Sequence, residues 1–85
     1  MNIRTFLTSF ENGDMDFDSF FFYILLEADE FGIGKVISEL PQHLVVRFKE
    51  EIQRMPNQNI DFYTAGTCVT VSGEKITAYK EYFRE

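Results

Sequence analysis

Seven apolar residues, Phe20-Phe21-Phe22-Tyr23-Ile24-Leu25-Leu26, run without a break between two acidic clusters. Asp14, Asp16 and Asp18 precede the run, and Glu27, Asp29 and Glu30 follow it. A helix that spans a bilayer needs about 20 apolar residues, and this run is far shorter and fenced by carboxylates. It must instead be covered by the protein's own neighbouring segments while its flanks stay in water. Phe17, Phe20, Phe21, Ile24, Leu25, Ala28 and Phe31 recur at helical period, which predicts a helix from Asp14 or Asp16 to Phe31. Either aspartate can cap its start, and acids in the first turn suit the positive end of the helix dipole. Met15, Phe22 and Leu26 add a second apolar stripe. Asp16, Tyr23, Glu27 and Glu30 are then left as the wettest side. An apolar arc this wide calls for packing on more than one flank.

The segments around this helix read as further helices and one hairpin. Ile3, Phe6, Leu7 and Phe10 make one face of a short first helix, with Asn2 as its cap and Asn12-Gly13 as its stop. Gly32-Ile33-Gly34 interrupts the pattern, and a short helix through Ile33, Val36, Ile37 and Leu40 ends near Pro41. Proline suits the first position of the next helix, whose inner face is Leu44, Val45, Phe48, Ile52 and Met55. Arg47 with Glu51 and Glu50 with Arg54 are spaced as i, i+4 ion pairs on that helix. Ile60–Thr64 and Thr67–Val71 are rich in β-branched and aromatic residues and flank Ala65-Gly66, which predicts a hairpin. Ser72 then caps a last helix with Ile76, Tyr79 and Phe83 turned inward. The expected fold is mainly α: a small four- or five-helix bundle-like domain, residues 1–85 as a single domain, with a minor β-hairpin at about 59–71 before the C-terminal helix.

Charge and composition narrow the function classes. Residues 1–34 hold Glu11, Asp14, Asp16, Asp18, Glu27, Asp29 and Glu30 against Arg4 alone, whereas residues 35–85 balance. Such a field disfavours nucleic acid and anionic membrane, which need positive charge opposite phosphate, and steers a basic partner toward the N-terminal half. Ten Phe and four Tyr in 85 residues supply a core of a few large rings, with aromatic surface left for an interface. One cysteine, Cys68, forms no internal disulfide, and the N-terminus lacks the apolar stretch of a signal peptide. A cytoplasmic protein is expected.

No chemistry-bearing motif survives. Asp14-x-Asp16-x-Asp18 has the opening spacing of a calcium loop, but Ser19 stands where glycine is needed and Leu25 where a bidentate glutamate is needed. Gly34-Lys35 is followed by Val36 rather than the hydroxyl residue of a phosphate loop. His43 and Cys68 have no local context for a base–nucleophile pair, so Cys68 is expected as a buried small hydrophobe and His43 at the surface. No catalytic residue, metal ligand or cofactor is therefore assigned.

The resulting expectation is a non-catalytic, acidic protein–protein interaction module. It is similar in charge and size to small acidic inhibitors that neutralise basic toxins, and Asp16, Tyr23, Glu27 and Glu30 are its partner-binding residues. The alternatives are a structural or regulatory homo-oligomer joined through the second helix or the hairpin edge, and a small enzyme.

Overall fold

In the computed structural model, which describes residues 3–64 and 66–84, the Phe-rich run is helical. The elements in chain order are α1 (Ile3–Glu11), α2 (Phe17–Phe31), α3 (Ile33–Ser38), α4 (Gln42–Arg54), β1 (Ile60–Thr64), β2 (Thr67–Val71) and α5 (Gly73–Tyr82). Over the described residues the protein is mainly helical, with five helices and an antiparallel two-stranded hairpin before the last, within the four or five helices and minor hairpin that the sequence predicts. Asn2, the expected cap of α1, and Ala65, in the expected hairpin turn, lie outside the described residues. Contacts group the chain into two units, Met1–Val45 and Val46–Glu85.

The first unit is built on α2. Asp16 is its N-cap, accepting a 2.8 Å hydrogen bond from the Ser19 amide, so the cap falls at the second of the two candidate aspartates. Phe20, Ile24 and Leu25 are fully buried, and Phe21 and Ala28 nearly so, which is the i, i+4 stripe read from the sequence. α1 runs antiparallel to α2. Phe10 meets Phe17 and stacks on Phe20 at 4.9 Å, while Phe6 stacks on Tyr23 at 4.2 Å. The corner between the two helices depends on Gly13. The Gly13 and Asp14 amides bond back to the Phe10 and Ser9 carbonyls, with Gly13 at φ +80°. This satisfies carbonyls that a helix end otherwise leaves open, in a conformation a Cβ disfavours. α3 follows Gly32 and packs on α2, burying Val36.

Phe31 departs from the expected stripe, being 51% exposed. Phe31 is the last residue of α2, and the chain leaves the helix at Gly32 with φ +95°.

The second unit holds most of α4, the hairpin and α5. Phe48, Ile52, Val71 and Ile76 are buried, with Tyr79 beside them in the core, and Phe83 meets Phe48 edge-on at 5.8 Å. The ion pair recorded near the end of α4 is Arg54 with Glu51 at 3.7 Å, one residue closer than the expected Glu50–Arg54 spacing. β1 and β2 pair in the register Ile60↔Val71 through Thr64↔Thr67, around a two-residue loop. Ser72 caps α5, accepting from the Lys75 amide at 3.2 Å. Asn59 accepts from the Gly73 amide at 2.8 Å, tying the hairpin's entry to the start of α5.

Strand parity corrects the reading of Cys68, which is exposed. Val71 is buried and Val69 half-buried, so Cys68 and Thr70, which alternate with them, point to the opposite face. A β-branched run around a lone cysteine does not reveal which parity faces inward.

Candidate functional site

The acidic face of α2 is the candidate site read from the sequence, and the structure divides it. Asp16 and Glu30 are exposed, at opposite ends of a fifteen-residue helix. Asp16 is already engaged as the helix cap, and the Ser19 bonds hold its carboxyl below the ordinary aspartate range. Tyr23 is half-buried under the Phe6 ring. Glu27, one turn further along the same side, is 8% exposed. Burial raises its carboxyl above the ordinary glutamate range, with Glu30 and Glu39 adding repulsion. The side expected to be wettest thus has a covered middle, because α1 packs across it at Tyr23. Sequence periodicity gives the width of the apolar arc but not which flank the neighbouring helix takes.

What stays exposed is grouped at the two ends of α2. At its start lie Glu11, Asp14, Asp16 and Asp18, and at its end Asp29 and Glu30 beside Phe31. The two ends differ physically. Acids near a helix N-terminus are stabilised by the dipole, whereas acids in the last turn oppose it by about 0.3–1 kcal/mol each. No basic residue occupies the last turn of α2. At that end an exposed phenylalanine follows two exposed acids. Phe31 was missed as a surface residue because its spacing fits the core stripe.

The second unit contains a depression of about 280 Å³ lined by Gln53, Asn57, Thr77, Lys80, Glu81 and Arg84. Most of its polar groups are taken. The Lys80 ammonium donates to the Met55 carbonyl, and the Gln53 amide donates to the Lys80 carbonyl at 3.3 Å. The Thr77 hydroxyl donates to the Gly73 carbonyl at 3.0 Å, and Arg84 pairs with Glu81 at 3.2 Å. These contacts fasten α5 to the end of α4. Small-molecule sites have mostly apolar walls, whereas the residues lining this depression are all polar.

Gly34 and Lys35 lie inside α3, so the segment forms no phosphate-cradling loop. His43 is exposed, as expected. Among the described residues no group of three or more His, Cys, Asp or Glu side chains is placed to hold a metal ion, and no helix is long and apolar enough to cross a membrane. Comparisons with protein-family models, curated proteins and solved structures find no match to the chain.

Proposed function

We propose that this protein is a non-catalytic binding module that engages a basic protein surface through residues 1–45, with Asp29, Glu30 and Phe31 at the centre of contact. The observation that carries the reading is the end of α2. There an aromatic ring, 51% exposed, stands beside two exposed carboxylates against the helix dipole. An aromatic anchor rimmed by charge is a common form of interface hot spot. The rest of the unit adds long-range steering, since Glu11, Asp14, Asp16 and Asp18 are also exposed and only Arg4 and Lys35 oppose them. Of the four residues read from the sequence, Glu30 is the contact residue and Asp16 contributes field. Tyr23 packs against Phe6 of α1 and Glu27 is buried, so neither is an open contact residue.

Charge selects a partner other than the chain itself for this surface. Residues 46–85 carry six acids and six bases, so a second copy offers no half with net positive charge. Nucleic acid and anionic membrane are repelled. An exposed Cys68 outside any disulfide suits a reducing compartment and supports a cytoplasmic module that acts as an inhibitor-like cover for a cationic site.

The test is affinity capture with wild-type protein and with the double variant Asp29→Lys, Glu30→Lys as parallel baits. The expected result is a basic protein held by the wild type, released as salt rises, and absent from the variant. Equal capture by both baits, or capture of acidic proteins or nucleic acid alone, contradicts the proposal.

A further inference from the structure

The hairpin is a two-stranded sheet, so each strand keeps one open edge. Register fixes what those edges present. Thr64 and Thr67 close a two-residue loop and so exchange backbone hydrogen bonds. Antiparallel ladders alternate, which makes Phe62 with Val69 and Ile60 with Val71 the other bonded pairs. Cys68 and Thr70 on β2, like Asp61 and Tyr63 on β1, therefore aim their N–H and C=O groups outward. Among the described residues no other backbone hydrogen bond reaches these four.

The two edges are not equivalent. Natural edges are guarded by charge, proline or a bulge. β1 carries Asp61, whose carboxylate also accepts the Thr70 hydroxyl at 2.6 Å across the strands. β2, Thr-Cys-Val-Thr-Val, has no charge, proline or glycine, and Thr67, Cys68 and Thr70 are all exposed.

We propose that β2 is a self-pairing edge through which two copies of this chain join, antiparallel, into one four-stranded sheet. With the two-fold axis at Val69, Cys68 of each copy lies opposite Thr70 of the other. The four outward N–H groups and their carbonyls then close four backbone bonds. Residue 67 meets residue 71, so the whole strand is used. Charge favours this occupant, because residues 46–85 have equal numbers of acids and bases and two copies do not repel there. A β1–β1 seam brings Asp61 near its own copy, like charges on one sheet face. Head-to-tail pairing of β1 with β2 leaves an edge always open and builds filaments. The β2 seam is small, so the dimer is weak and forms at high concentration. This interface does not use the acidic end of α2, so either reading can fail without the other.

The test combines sedimentation equilibrium with amide hydrogen exchange by NMR, with reductant present, from about 10 µM to about 1 mM protein. The expected mass rises toward two copies and no further. The Cys68 and Thr70 amides slow with concentration while those of Asp61 and Tyr63 stay fast. Added salt strengthens the dimer by screening the negative charge on residues 1–45, the opposite of its effect on a basic partner. Thr70→Pro removes an N–H that lies outside the hairpin's own ladder, and it remains monomeric with an unchanged far-UV circular dichroism spectrum. If that variant does not fold, the wild-type exchange pattern decides. A monomer across the whole range, growth beyond two copies, or protection on β1 instead of β2 overturns the proposal.

Discussion

Replacing Phe20 and Phe22 by leucine, one at a time, separates helix packing from any other arrangement of the Phe-rich run. Phe20 is fully buried and stacks on Phe10 at 4.9 Å with an interplanar angle of 9°. Phe22 is half-buried and makes an edge contact with Phe21 at 6.1 Å. Swapping one buried apolar side chain for another of lesser size costs up to about 1.5 kcal/mol. Loss of a stacked aromatic pair adds about 0.5–1.5 kcal/mol. Phe20→Leu is therefore expected to lose about 2 kcal/mol, and Phe22→Leu less than about 1 kcal/mol because much of its surface stays wet. At an m-value of about 1 kcal/mol per molar urea for a chain of this size, the midpoints fall by about 2 M and under 1 M respectively. Urea titration followed by far-UV circular dichroism reads both. Phe21→Leu should resemble Phe20→Leu, since adjacent residues share a buried helical arc. A strand would instead group Phe20 with Phe22 and set Phe21 apart, and that ordering refutes the packing described above.

Three further perturbations have definite signs. Glu27 has a folded-state pKa above its unfolded value, so as pH rises the unfolded chain releases its proton first and stability falls between those two pKa values. Glu27→Gln should accordingly gain on wild type as pH rises above 4.5, the ordinary glutamate value, and a pH-independent difference in urea midpoint contradicts this. Gly73→Ala improves helix propensity on paper, but its Cβ would sit 2.9 Å from the Gln58 backbone. A fall in melting temperature is expected, and a rise shows that the Gln58 segment yields freely. Asp29→Lys with Glu30→Lys reverses charge at the unfavourable end of the α2 dipole and should stabilise the fold by about 0.3–1 kcal/mol per site while abolishing partner capture. A double variant that is less stable than wild type shows that these acids serve the fold.

Much of the architecture was legible because local rules agreed. The α2 stripe apart from Phe31, the Ser72 cap, the Gly13 stop and both strands follow from period, cap chemistry and turn residues read one segment at a time, while the α2 cap is narrowed to Asp14 or Asp16. What escaped were consequences of packing between segments. Tyr23 and Glu27 lie on the polar side of an isolated α2, and only the lateral placement of α1 covers that side at Tyr23. Phe31 fits the core stripe by spacing, yet at the last position of α2 it is exposed. Cys68 sits in an apolar, β-branched strand, and only the pairing parity turns it outward. The candidate site suffered most, since it depends on which surface remains after packing.

The most direct test of the binding account is a residue-resolved NMR titration of the labelled protein with a synthetic peptide alternating lysine and leucine. The account expects shifts concentrated at Asp29, Glu30, Phe31 and Gly32, fading as salt is added, and absent when Asp29 and Glu30 are lysine. Shifts centred on the second unit, or spread evenly over every exposed carboxylate, contradict it.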